Sequence, residues 1–195
     1  RGKRNSCAIA KEEILQSSTR DPEAQQTMKV MYLAILLCAL AFPASSQTVV
    51  LNPGDWLAEF ENPSASSLLV DKHTIEVNAA AGATIWFKKK LSGDLIITYD
   101  IAVIDSGGRN DRVSDLNAFW MASDPAHETP FGRNGKFTSY DDLDLYYAGV
   151  GGHDNTTTRF RRYRHGTDKS VLQEYTDKAH LLEGNKIYSV KITVR

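Results

Sequence analysis

The 195-residue chain has few cysteines, few prolines and almost no excess charge. Its two cysteines, Cys7 and Cys38, are too few for a disulfide framework of the kind that holds small secreted proteins together. A formal net charge of −1 provides no basic surplus, so we expect no nucleic-acid partner. Six prolines and an aromatic content of 9% argue against a disordered chain. The length fits one ordinary globular domain.

Sequence motifs for nucleotide, metal and serine-nucleophile chemistry are missing as well. There is no glycine-rich phosphate loop and no nucleophile elbow around a serine. The five histidines show no spacing typical of zinc ligands: His73, His127, His153, His165 and His180. We therefore expect no cofactor and no metal, with one exception considered below.

An apolar segment near the N-terminus predicts export. Met28 and Lys29 precede an apolar run over residues 30–42, and small residues follow it up to Ser46. A short basic region, an apolar core and a small-residue cleavage site are typical of a secretory signal peptide. The run is shorter than the ~20 residues that a membrane-spanning helix needs. We predict a signal peptide over 28–46, a secreted or periplasmic protein, and no membrane attachment after cleavage.

The two ends of the chain lead to further expectations. Residues 1–27 are polar, and signal peptides begin at or near the initiator, so we interpret 1–27 as an upstream extension that is not native. A genuine leader is the alternative. The mature domain would then span 47–195. A strong alternating pattern runs directly into Arg195 without a turn, which predicts a domain truncated at its C-terminus. A domain that simply ends on a strand is the alternative there.

The mature region reads as β-structure throughout. It has no segment of helical period, and eight segments have the composition or alternation of strands. These are residues 56–60, 73–77, 83–90, 94–104, 116–122, 143–150, 156–164 and 186–194. Turn residues separate them, as in Asn52-Pro53-Gly54 and Gly151-Gly152. Many short strands with polar turns predict an all-β sandwich or barrel.

The predicted strand over 156–164 is unusual because it contains four arginines. Alternation places Arg159, Arg161 and Tyr163 on one face, and Phe160, Arg162 and Arg164 on the other. In one interpretation the first set lines an open face and pairs with anionic ligands, because a guanidinium binds a carboxylate through two hydrogen bonds. In the other, this is an edge strand whose arginines pair with Asp141, Asp142 and Asp144.

Several segments resemble an uncharacterised family of secreted bacterial jelly-roll proteins. They are residues 115–121, 145–147 and 155–163, together with Trp86-Phe87 and Leu91-Ser92-Gly93-Asp94. That family is similar to concanavalin-type and laminarinase-type sandwiches, and it is associated with the use of polysaccharides, including pectin and rhamnogalacturonan. The resemblance covers most of residues 55–195. It implies a concanavalin-like jelly-roll β-sandwich and a polysaccharide or oligosaccharide partner.

A polysaccharide lyase is our leading expectation among three chemistries. Elimination from a uronate needs a group that neutralises its carboxylate and a base that removes the neighbouring proton. Arg159 or Arg161 would neutralise the carboxylate. His153, Tyr147 or Tyr163 would act as the base, or as the acid for the leaving oxygen. Jelly-roll lyases use these residue types, but their usual Gln-x-His strand motif is absent here, which counts against a close match.

A glycoside hydrolase is one alternative. A retaining enzyme needs two carboxylates about 5 Å apart. The Glu-x-Asp-x-x-Glu pattern of laminarinase-type enzymes is absent, and Asp142 and Asp144, which have suitable parity, lie at the loop end of their predicted strand. Asp141, Asp142 and Asp144 fit equally a turn or a weak calcium site, because oxygen-rich loops suit that ion.

A non-catalytic carbohydrate-binding module is the other alternative. Such a module stacks exposed aromatic rings on sugars and contacts the hydroxyl groups with polar side chains. Asn117 and Arg109 are candidates for the polar contacts, and five residues are candidates for the stacking: Trp86, Trp120, Tyr146, Tyr147 and Tyr163. Against this stands the general tendency of aromatic residues in strands to be core residues.

Overall fold

The computed structural model describes residues 5–16, 45–48, 50–166 and 169–195, with backbone alone for 5–16 and 45–48. Most of the predicted signal peptide lies outside these residues, so that expectation remains a prediction. Among the described residues, no helix is both long enough and apolar enough to cross a membrane.

Twelve β-strands are found in the described residues. They are β1 (Asn5–Gln16), β2 (Ser45–Thr48), β3 (Trp56–Phe60), β4 (Ser67–Val70), β5 (Thr74–Ala79), β6 (Ala83–Phe87), β7 (Leu95–Val103), β8 (Leu116–Ser123), β9 (Asp144–Gly151), β10 (Thr157–Tyr163), β11 (Ser170–Tyr175) and β12 (Ile187–Val194). Short 3-10 helices cover Pro53–Asp55, Pro63–Ala65, Phe137–Tyr140 and Lys178–His180, and a single helical turn covers Gly152–Asn155.

The strands form three antiparallel sheets. The largest has the order β12-β7-β1-β5-β4, with β2 beside β1. A second sheet has the order β11-β10-β9-β8, and β3 pairs with β6 in a third. The prediction of an all-β protein is confirmed, and the architecture is consistent with a sandwich. All eight predicted strands are present, although the one predicted over 83–90 ends at Phe87.

Period-two burial explains how the sheets pack together. In β5, Ile75, Val77 and Ala79 are buried while the residues between them are more exposed, because alternate side chains point to opposite faces. These buried residues pack against Trp56 of β3 and Ile85 of β6. Two further clusters lie around Trp86 with Leu145, and around Ile101 with Leu116. Side chains of all three sheets therefore contribute to the core.

Strand register gives the four-stranded sheet one polar face. Residues directly opposite one another on neighbouring strands share a face. Two such rows of three residues run across β8, β9 and β10: Asn117, Gly149 and Arg159, and Phe119, Tyr147 and Arg161. We call the arginine face the set Asn117, Phe119, Tyr147, Gly149, Arg159, Arg161 and Tyr163. The opposite face carries Trp120, Tyr146, Ala148, Phe160 and Arg162.

A buried carboxylate joins β3 and β6 to the segment after β8. Glu59 of β3 is only 6% exposed. It accepts hydrogen bonds from Trp86 Nε1 at 2.9 Å and from the Tyr140 hydroxyl at 2.7 Å. Its other oxygen accepts from the backbone N–H groups of Gly132 and Arg133, at 2.6 and 2.9 Å. A buried charge is costly unless such donors satisfy it, and here four do.

The segment 124–136, which we call the bridging loop, is also held by its own arginine. Arg133 donates from Nε to the Ser139 carbonyl at 2.8 Å and from Nη2 to Asp124 at 2.6 Å. Asp124 also contacts His127 Nδ1 at 2.8 Å. The hydrogen bonds from Arg133 and His127 hold the pKa of the Asp124 carboxyl well below its usual range. The loop is therefore ordered by specific polar contacts.

We expect Glu59→Gln to destabilise the protein strongly. All four partners of Glu59 are donors, so an amide NH2 group faces donors whichever way it is placed. Each buried donor left unpaired costs about 1–3 kcal/mol in the free energy of unfolding. Denaturant titration measures the loss. Glu61→Gln is the control, because exposed Glu61 accepts one bond, from Gly82 N–H, and we expect a change within about 0.5 kcal/mol. Equal losses in the two variants would contradict the role given to Glu59.

Candidate functional site

The arginine face borders a cavity of about 1510 Å³. Its other lining residues include Trp86 of β6, Phe131 of the bridging loop, apolar residues of β5, β7 and β12, and charged side chains such as Lys88, Asp115 and Glu128. Trp86 packs edge-on against Phe119 and Phe131, with ring centroids 4.8 and 5.2 Å apart. Ligand sites are typically concave and apolar with a few convergent polar groups, and this cavity has that character.

Arg159 lies between an acidic residue and a histidine. Its Nε forms an ion pair with Glu174 of β11, and its Nη1 lies 2.8 Å from His153 Nε2. A guanidinium has only N–H donors, so the Nε2 atom must accept this hydrogen bond. His153 is therefore neutral in this arrangement, with its proton on Nδ1. Glu174 therefore compensates the charge of Arg159, and the Nη1 group of Arg159 binds the His153 imidazole.

Arg161 lies near two tyrosines. The rings of Tyr147 and Tyr163 are 5.9 Å apart. Burial raises the pKa of both hydroxyls, and the Arg161 guanidinium offsets part of that rise in each case. Both phenols are therefore protonated at neutral pH and can donate hydrogen bonds. In the part of the chain that the structure describes, no carboxylate forms an ion pair with Arg161.

The Tyr163 hydroxyl is buried without a hydrogen bond. Tyr163 is 2% exposed, and its hydroxyl oxygen has no hydrogen-bond partner among residues 50–166 and 169–195. The Arg161 guanidinium is close enough to lower the pKa of this hydroxyl, but its N–H groups are not aligned to donate a hydrogen bond to it. A buried polar atom without a partner is uncommon in folded proteins and needs an explanation. A ligand oxygen or a water in the cavity would supply the missing partner.

Gly149 makes room for the Tyr147 ring. A Cβ atom added at Gly149 would lie 2.5 Å from Tyr147 Cε1 and 2.7 Å from the Tyr147 hydroxyl oxygen. The ring thus occupies the space that a side chain at position 149 would fill, between Asn117 and Arg159. The Tyr147 hydroxyl therefore lies beside Gly149, which is paired with Arg159 in the sheet.

The five residues predicted as catalytic all line the cavity. They are Arg159, Arg161, His153, Tyr163 and Tyr147. Of the residues predicted to bind substrate, Asn117 also lines it and is exposed. Trp120 borders the cavity too, but its ring stacks with Tyr146 and Phe160 on the opposite face of the sheet, at 6.1 and 5.8 Å. Tyr146 does not line the cavity, and neither does Arg109, which is exposed.

The three aspartates considered as ion-pair partners of the β10 arginines make other contacts or are exposed. Asp141 pairs with Lys169, and Asp144 accepts from the His165 backbone N–H at 2.7 Å, while Asp142 is exposed. The edge-strand alternative for the arginines is wrong, because β10 lies between β9 and β11. Within the described ranges, no group of three or more histidine, cysteine, aspartate or glutamate side chains is arranged to hold a metal.

Several residues of the site were not predicted from the sequence. Glu174 was missed because β11 has no alternating pattern and five of its six residues are exposed. Trp86 was considered only as a stacking ring. Glu59 was missed because its role depends on contacts between distant segments. Gly149 could have been found from the sequence, because it follows Tyr147 by two residues and therefore shares a strand face with it.

We expect Gly149→Ala to displace the Tyr147 ring. The added methyl group has no room, and overpacking of this kind costs about 1–3 kcal/mol of unfolding free energy. Gly54→Ala is the control, because a Cβ there would come no closer than 3.4 Å to any atom outside the neighbouring residues. Thermal and denaturant unfolding compare the two. If adding Tyr147→Ala to Gly149→Ala recovers none of the lost stability, the steric explanation is wrong.

The site lies in a segment that matches a known family. No curated protein and no solved structure matches the chain. The model of a family described as a domain of unknown function, DUF6250, matches residues 77–195, which is more than half of the chain. The matched range begins within β5 and contains β6 to β12, and with them the whole arginine face. The chain therefore belongs to the DUF6250 family.

Proposed function

We propose that the protein binds an acidic, uronate-containing polysaccharide on the arginine face and cleaves it by β-elimination. The proposal rests on one observation: Arg161, which forms no ion pair with any described residue, lies beside one buried and one partly buried phenol in a large cavity, next to a second arginine that holds an imidazole. We further propose that the sandwich is a concanavalin-like jelly roll and that the protein is exported, as residues 28–46 suggest.

Arg161 is the group proposed to bind the uronate carboxylate. It is a partly buried cation, and none of the ion pairs among the described residues involves it. A carboxylate placed there would also accept hydrogen bonds from the neighbouring phenols, including the unpartnered hydroxyl of Tyr163. Charge-assisted bonds to a guanidinium are about twice as strong as neutral ones. Neutralising the carboxylate makes the adjacent C5 proton more acidic, which is the first requirement of elimination.

His153 is the proposed base and Tyr147 the proposed acid. A glycan that draws Arg159 away from His153 leaves the Nε2 lone pair free to accept the C5 proton. The electrons of the C5–H bond form the C4–C5 double bond as the C4–O bond breaks. The leaving oxygen takes the proton of the Tyr147 hydroxyl, which burial keeps protonated at neutral pH. The step needs neither an oxidant nor a cofactor.

A binding module is the second candidate, and one contact favours it. In the described arrangement Arg159 occupies the Nε2 atom of His153, so the imidazole cannot act as a base until that contact breaks. The same residues would then hold a glycan without cleaving it. A hydrolase is less well supported, because Asp142 and Asp144 do not line the cavity, and three of the carboxylates that do line it form ion pairs with arginines: Asp115, Asp124 and Asp154.

An absorbance assay for unsaturated uronates tests the proposal. We expect the full chain to produce a rise in ultraviolet absorbance with at least one of polygalacturonate, rhamnogalacturonan and alginate. Arg161→Gln should lower turnover by about 10²–10³-fold, as expected for loss of a group that stabilises developing negative charge. Arg162→Gln is the matched control, because Arg162 lies on the opposite face beside the Tyr146 ring and should leave turnover within about twofold.

The outcomes separate the two candidates. Binding of an acidic glycan by calorimetry without any absorbance rise would overturn the lyase and support the binding module. Equal losses in Arg161→Gln and Arg162→Gln, with both variants folded by circular dichroism, would contradict the assignment of the site. Neither binding nor product on any of the three glycans would overturn the proposed function.

A further inference from the structure

The turn that carries His153 has an uncommon backbone conformation. Gly151, His153, Asp154 and Asn155 have φ angles of 67°, 52°, 56° and 60°. Three of these residues are consecutive and are not glycine. L-amino acids disfavour this left-handed region because the Cβ atom approaches the backbone carbonyl. A run of three therefore persists only where surrounding contacts hold it.

Asn155 anchors this left-handed turn to the core. Its side-chain oxygen accepts from the Leu182 backbone N–H at 2.8 Å, and its side-chain nitrogen donates to the Leu182 carbonyl at 2.9 Å. Leu182 is 5% exposed and belongs to the apolar cluster around Ile101. At the other end of the turn, the Gly151 carbonyl accepts from the Ser114 hydroxyl at 2.8 Å. Both ends of the turn are thus fixed to packed parts of the fold.

The turn directs two side chains toward arginines that line the cavity. His153 Nε2 meets Arg159 Nη1 at 2.8 Å, and Asp154 Oδ1 accepts from Arg112 Nη1 at 3.2 Å. In a right-handed continuation of the chain, these side chains would leave the backbone in other directions. The strained conformation is therefore what brings the imidazole to Arg159.

We infer that Asn155 is a positioning residue that sets the orientation and the tautomer of His153. The amide of Asn155 fixes the turn, the turn fixes the imidazole, and the contact with Arg159 places the proton on Nδ1. Strain of this kind is frequently stored where a functional group must be pre-organised. The use of His153 as a base rests on the proposed function, whereas the positioning itself does not depend on it.

Asn185 provides a matched control. It also has a left-handed backbone, with φ of 61°. Its amide makes the same pair of bonds to one backbone residue, accepting from Asp105 N–H at 2.9 Å and donating to the Asp105 carbonyl at 2.7 Å. Asn185 does not line the cavity. Replacing it removes the same chemistry from a place that has no contact with His153.

The test is a long-range ¹⁵N–¹H spectrum of the histidine rings, recorded on the full chain with Asn155→Ala and Asn185→Ala. His153→Gln assigns the signals. We expect wild-type His153 to show one neutral tautomer, with the proton on Nδ1. Asn155→Ala should average the two nitrogen shifts, whereas Asn185→Ala should leave them unchanged. Unchanged His153 shifts in Asn155→Ala, or equal changes in both variants, would overturn the inference.

Asn155→Gly distinguishes loss of the anchor from loss of folding. Glycine tolerates the left-handed conformation but cannot make the two bonds to Leu182, so this variant relieves strain while removing the anchor. We expect it to remain folded and to lose the single tautomer. A folded Asn155→Gly variant that keeps the wild-type tautomer would also overturn the inference.

Turnover supplies a second readout. If the wild type acts as a lyase, Asn155→Gly should lower kcat by about 10²-fold with little change in KM, because a misplaced base slows the chemical step more than it weakens binding. A rise in KM with unchanged kcat would contradict this. If the wild type is inactive, the proposed lyase fails, while the tautomer result still decides the role of Asn155.

Discussion

The four hydrogen bonds accepted by Glu59 are the contacts on which the arrangement of the cavity depends. They join β3, β6 and the segment 132–140, three parts of the chain that are far apart in sequence. These contacts hold Trp86 between Phe119 and Phe131 at the border of the arginine face. A buried carboxylate is stabilising only when its donors are complete, so this part of the fold tolerates little change.

Electrostatic compensation differs between the two arginines of the cavity. Glu174 compensates Arg159, whose Nη1 donates to His153. Arg161 forms no ion pair with a carboxylate among the described residues and lies beside two phenols whose pKa burial raises. An anionic ligand would therefore gain a cation and hydrogen-bond donors at the same position. This is the physical reason for proposing an acidic glycan and for placing its carboxylate on Arg161.

Much of the fold was predictable because strand periodicity is a local property. Burial alternates clearly in β5, and exposed and partly buried residues alternate in β12. The parity of Arg159, Arg161 and Tyr163 in β10 predicted the face that lines the cavity. Short β4 and the exposed β11 were missed because neither has an alternating apolar pattern long enough to recognise. The roles of Glu59 and Asn155 depend on partners that only the tertiary fold brings close, so no sequence pattern indicates them.

Arg161 and its two neighbouring phenols are proposed to recognise a carboxylate. The decisive experiment is a calorimetric titration of the full chain with a uronate oligosaccharide, and with the same oligosaccharide after its carboxyl groups are reduced to alcohols. We expect the acidic form to bind at least about tenfold more tightly, since a hydrogen bond to a charged group contributes about 1.5–3 kcal/mol. Equal affinity for the two forms would show that Arg161 does not recognise the carboxylate.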